Sequence, residues 1–181
     1  MGTLVVLAVT LLFEIIGIVY WICLAAPNVW LYQWLLVIQT ILWGYIYRQL
    51  FQERKMPTII TCLCVVSVLV EVVVCMRSDY SFSVVMAIES LFLIACSSAY
   101  FFELLQHPLE GDILYFSLFW LNIAVMFFYM VNILLWGIAV VSMPRPFIFN
   151  GIRLWNYSSY IFYIIIAFSC MLNKKSVRLR K

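Results

Sequence analysis

The chain has 181 residues, of which 67% are hydrophobic and 10% charged. A soluble domain carries roughly a quarter of its residues charged, and a globular protein of this size still exposes much of itself, so lipid rather than water is the main solvent. The net charge of +3 is no nucleic-acid signal, because its excess sits in Lys174, Lys175, Arg178, Arg180 and Lys181; a basic run after an apolar helix meets anionic lipid head groups.

A span needs about 20 apolar residues, and six segments qualify: 3–24, 29–51, 57–76, 81–104, 113–142 and 150–172. The fold class they predict is all-α, a polytopic membrane helix bundle of about six transmembrane helices. They form one domain over 1–173, followed by a basic cytoplasmic tail over 174–181. The first segment lacks a basic leader and is too long for a signal peptide. Its abrupt start at Thr3 reads as a chain cut between two helices. Pro27-Asn28 closes it, and Tyr20, Trp21, Trp30, Tyr32 and Trp34 gather around that turn as an interfacial belt. The charged run Gln52–Lys55 with Pro57 separates the second and third segments, and Arg77-Ser78-Asp79 the next pair. His107-Pro108 through Asp112 and Pro144-Arg145-Pro146 supply the remaining breaks. Every connection is short, so sequential helices are expected to run antiparallel. The fifth segment, about 30 residues long, exceeds a perpendicular span and should tilt or project.

Arg48, Arg54, Lys55 and the five basic tail residues fall on one side of such a bundle, and Arg77, Arg145 and Arg153 on the other. The first side is expected to be cytoplasmic, with both termini, in a cell's inner membrane.

Charged and amide side chains inside spans are costly and face protein or water. Glu14 and Glu89 lie near the middle of their segments, with Gln39 and Asn122 at similar depth. Asn132 and Asn156 stand nearer the outer face, and Glu71 nearer still. These seven residues are the candidate ligand or polar-cluster positions. Two readings stand side by side: hydrogen bonds that tie helices together, and a polar pocket or proton site. Energetics favour Glu14 and Glu89 facing the bundle interior, with Gln39 as the expected partner of Glu14 across the first outer turn.

Other chemistry is poorly served. Every lysine lies at a cytoplasmic end, so a retinal-type Schiff base has no residue to form on. The single histidine, His107, sits in a loop, which excludes bis-histidine haem and histidine-rich metal sites. Cys62 and Cys64 point about 200° apart on a helix and cannot share a metal. The six cysteines read as small buried thiols. No phosphate-binding glycine loop occurs. Gly17 and Gly44 are the only candidate mid-span breaks. In the fourth segment Ala95 and Ala99, four residues apart, would let another helix approach closely. No enzyme activity, cofactor or metal is expected, and the bilayer is the expected partner, with a membrane protein partner also open.

The segments Asn28-Val29-Trp30-Leu31-Tyr32 through Tyr47-Arg48, Ile88-Glu89-Ser90-Leu91 through Tyr100-Phe101, and Phe119-Trp120-Leu121-Asn122 carry a diffuse resemblance. They resemble a family of small, uncharacterised multi-pass inner-membrane proteins of Bacteroidota-type bacteria, usually with seven spans. The resemblance implies one further span before the first segment and recurrent polar positions at Glu14, Glu89, Asn122 and Asn132. It puts Gln39 where a glutamate is commoner, and it implies no activity. The function expected from the residues is receptor-like or sensory, with a polar intramembrane pocket open to the outer side. A small proton-coupled transporter and a structural accessory subunit are the alternatives.

Overall fold

Proline and charge punctuate a sequence whose described residues are almost all helical. The computed structural model describes residues 2–24, 29–51, 55–77, 81–106, 114, 116–139 and 157–172, and the statements that follow concern those residues. They form α1 (Gly2–Leu24), α2 (Val29–Leu50), α3 (Met56–Arg77), α4 (Ser81–Gln106), α5 (Ser117–Ala139) and α6 (Tyr157–Leu172). No strand occurs among the described residues, and the protein is an all-α bundle. Val29–Leu50, Met56–Arg77, Phe82–Gln106 and Ser117–Trp136 are long and apolar enough to cross a membrane; Val5–Tyr20 of α1 and all of α6 are shorter apolar stretches. The basic tail over 174–181 lies outside the described residues.

Helix ends follow local chemistry. Pro57 sits in the first turn of α3, where its missing N–H would have had no partner in any case. Thr61 Oγ1 donates to the Pro57 carbonyl at 2.7 Å and Ile59 N to the Lys55 carbonyl at 3.2 Å. α5 begins at Ser117, four residues later than the apolar run suggests. The reason is a turn that hydropathy cannot register. The Trp120 indole N–H donates to the Leu114 carbonyl at 2.8 Å, and Phe119 N donates three residues back to the Phe116 carbonyl at 3.1 Å.

The chain divides into two compact units, Met1–Phe92 and Leu93–Lys181, with the boundary inside α4. In the first unit α2 is central. Tyr20 and Trp30 meet edge to face, Glu14 meets Tyr32, and Thr10 meets Gln39. Residue numbers thus fall along α1 as they rise along α2, which makes the pair antiparallel. On its other side α2 packs on α3 at Gly44. A Cβ placed on Gly44 would collide with Cys64 Sγ and come within 3.0 Å of Cys64 Cβ and 3.5 Å of Phe92 Cζ. This glycine lies inside an unbroken helix and serves close approach, not a break; Gly17 likewise interrupts nothing in α1.

In the second unit, aromatic rings join the helices. Phe101 meets Phe119, Phe119 meets Trp120, and Trp120 meets Phe168, with centroids 5.4–6.0 Å apart and nearly perpendicular planes. Phe128 stacks on Phe162 at 4.6 Å. Ser169 Oγ donates to the Ser117 carbonyl at 2.6 Å, so α5 and α6 are antiparallel too. Ring pairs of this kind contribute about 0.5–1.5 kcal/mol each beyond area burial. Within the small-residue patch of α4, Cys96 and Ser97 are buried, whereas Ala95 is exposed and Ala99 half-buried. The predicted Ala95/Ala99 approach face is therefore not the packed one.

Polar and apolar residues are arranged inside out. Leu11, Ile15, Ile18 and Ile22 form an exposed stripe on α1, and Leu63, Val66, Val70 and Val73 are exposed on α3. Thr40, Glu71, Glu89, Asn122 and Asn132 are buried. Water would penalise that outer surface heavily, and hydrocarbon would not.

Candidate intramembrane polar site

Two layers of polar contacts meet on α2, because Gln39 and Thr40 are adjacent and project to different neighbours. Toward α1, Gln39 Nε2 donates to Thr10 Oγ1 at 2.7 Å, and Thr10 Oγ1 donates to the Val6 carbonyl of its own helix at 2.9 Å. One turn further along α1, Glu14 Oε2 accepts from the Tyr32 hydroxyl at 3.1 Å. Thr10, Glu14, Tyr32 and Gln39 are all half-buried. Glu14 is therefore engaged by Tyr32 rather than by the expected Gln39. The register sets this: Thr10, one turn before Glu14, takes the place opposite Gln39, and the long phenol of Tyr32 reaches the carboxyl.

Toward α3, Thr40 Oγ1 donates to Glu71 Oε1 at 2.9 Å, with both residues buried. Cys64 Sγ donates to the Thr40 carbonyl at 3.6 Å. Glu71 Oε2 is buried and has no hydrogen-bond partner among the described residues. Counting along the chain puts Glu71 closest to the outer face of all the candidates, yet its carboxyl meets a residue halfway along α2. Side chains on a helix lean toward its N-terminus. At about 1.5 Å per residue, Glu71 stands about 22 Å from the start of α3 and Thr40 about 15 Å from the end of α2. Because α2 and α3 run antiparallel, the lean of each side chain toward its own helix N-terminus brings the two together.

Glu89 of α4 is fully buried, and the adjacent Ser90 donates to the Met86 carbonyl at 2.6 Å. In the second unit, Asn122 Nδ2 donates to the Leu118 carbonyl of its own helix at 2.8 Å. Asn132 is buried, and neither polar atom of its side chain has a partner among the described residues. Asn156 lies outside the described residues. Thr10, Tyr32 and Thr40 complete the site although sequence reasoning did not select them as polar partners. A lone Thr within an apolar run, or a Tyr near an interface, carries no signal of its own. Thr10 one turn before Glu14, Thr40 next to Gln39 and Tyr32 just after the first turn were the available hints.

No group of three or more His, Cys, Asp or Glu that could hold a metal ion occurs among the described residues. What the arrangement offers instead is hydrogen-bond acceptance by two carboxyls, one half-buried against α1–α2 and one enclosed against α2–α3. Compared with family models, curated proteins and solved structures, the chain matches none.

Proposed function

We propose that the chain is a receptor-like or sensory protein of a bacterial inner membrane, without enzyme activity, which takes a small ligand at Glu14, Tyr32 and Gln39. The observation that carries this reading is the half-burial of Glu14 midway along an apolar helix. A carboxyl at that depth does not face hydrocarbon. It meets water, a ligand or another polar chain. Its carboxylate and the Gln39 amide favour a ligand with hydrogen-bond donors as well as acceptors, and the aromatic residues Tyr20 and Trp30 rim the same end of α1–α2. In this reading a signal passes by helix movement to a partner in the membrane. All six helices cross the bilayer in this reading, with both termini cytoplasmic.

The test is accessibility. In a background lacking the native cysteines, Gln39→Cys in intact cells should react with a membrane-impermeant methanethiosulfonate added outside, whereas Ile41→Cys on the apolar face should not. Silence at position 39 from outside would sink the outward-facing pocket. It would favour the second reading, an accessory subunit whose partner covers Glu14.

A further inference from the structure

Glu71 belongs to neither the α1–α2 cluster nor the ligand reading built on it. Only two of the described side chains of α3, Ile60 and Glu71, are buried. The carboxyl is enclosed, with Oε1 bonded to Thr40 and Oε2 bare among the described residues. The described cations of this unit, Arg48, Lys55 and Arg77, are all exposed and give it no counter-ion. Thr40 faces it from α2, and the thiols of Cys64 and Cys75 lie within electrostatic reach on its own helix. Glu89 is the other fully buried carboxyl of the unit and carries the same sign.

An enclosed carboxylate with one hydrogen bond and no cation loses more in desolvation than that bond returns. A metal cation would need a shell of several oxygens, and among the described residues Glu71 bonds one side chain, Thr40, and belongs to no metal-holding group of His, Cys, Asp or Glu. A proton needs one lone pair, which Oε2 supplies. We propose that Glu71 is a proton-binding site: the carboxyl carries the proton on Oε2 while α2 and α3 are packed. It releases that proton to water, leaving a carboxylate, only when their contact opens. The proposal is independent of the ligand reading at Glu14, and either can fail alone.

Dicyclohexylcarbodiimide partitions into lipid and adds to protonated carboxyls, ending as a stable N-acylurea that peptide mass analysis locates. On the full chain in liposomes, the label should appear on Glu71 at mildly acidic pH and be absent from that peptide in Glu71→Gln. Its rate should fall by about tenfold per pH unit on the alkaline side, the mass-action slope of one site, and excess Na⁺ should leave it unchanged. Infrared spectra give a second readout that needs no reagent access: the carbonyl band of a protonated carboxyl should be lost in Glu71→Gln, with helicity and gel-filtration behaviour retained. A band present in wild type and lost in the variant sustains the proposal even without labelling. No label together with no lost band, labelling indifferent to pH, or slowing by Na⁺ would each overturn it.

Discussion

Thr40 is the side chain through which α2 holds an enclosed carboxyl, and Thr10 does a similar service for an amide in a more open place. The two threonines therefore separate the effect of burial from that of hydrogen-bond count. Replacing Thr40 by Val keeps the shape and removes the donor to Glu71 Oε1, so both carboxyl oxygens are left bare among the described residues. The expected loss is roughly 1–3 kcal/mol, the range for stranding a buried polar group. Thr10→Val strands the Gln39 amide in a half-buried position, and interhelical hydrogen bonds in membranes average about 0.6 kcal/mol. Denaturant titration in bicelles should rank Thr40→Val as clearly the more damaging, and equal losses would mean that enclosure of Glu71 has no energetic weight. Which residues are costly inside a bilayer was readable from their type and depth, and Glu14, Gln39, Glu71 and Glu89 were all selected that way. Their partners were not readable. Pairing depends on register and side-chain lean, and a one-turn offset moved Glu14 from Gln39 to Tyr32.

Helix α2 is the element around which the first unit is arranged, and Gly44 is where α3 comes closest to it. Two effects oppose each other on substituting Gly44 by Ala. The helix gains about 1 kcal/mol of intrinsic propensity, while a new Cβ would have to displace Cys64. Cys64 Cβ, at 3.0 Å, belongs to the stem of a short side chain and cannot swing away. Overpacking of this kind costs about 1–3 kcal/mol, so steric cost should win and Gly44→Ala should destabilise. Combining it with Cys64→Ala removes the sulfur, and the pair should lose less than the sum of the single losses, by about 0.5 kcal/mol or more. Simple additivity in the same bicelle titration would place the collision elsewhere. Elements were the most legible level of the sequence, since each helix is an apolar run followed within a few residues by Pro, Arg or Lys. Close approaches were less so: Gly44 read as a possible break, and the small-residue face of α4 was assigned to Ala95 and Ala99 although Cys96 and Ser97 are the buried pair.

At the scale of the whole molecule, the arrangement of polar core and apolar exterior defines the solvent, but orientation across a membrane must come from charge. Arg48, Arg54, Lys55 and the five basic residues after Asn173 share one side of the proposed topology, against Arg77, Arg145 and Arg153 on the other. Basic residues flanking short loops are held on the cytoplasmic side, and the bias acts through the residues nearest each span. The connection after α2 therefore outweighs the single Arg77 that follows α3. A green fluorescent protein fused after Lys181 should fluoresce, and alkaline phosphatase at the same point should stay inactive. Phosphatase inserted after Asn28, in the connection between α1 and α2, should be active. Replacing Arg48, Arg54 and Lys55 by Gln, with the tail also neutralised, should raise the fraction of chains with an active C-terminal phosphatase. An unchanged orientation in that variant would show that the Lys and Arg distribution does not set the topology. Phosphatase activity at the C-terminus of the unaltered chain would reverse the proposed orientation and turn the Glu14 face toward the cytoplasm.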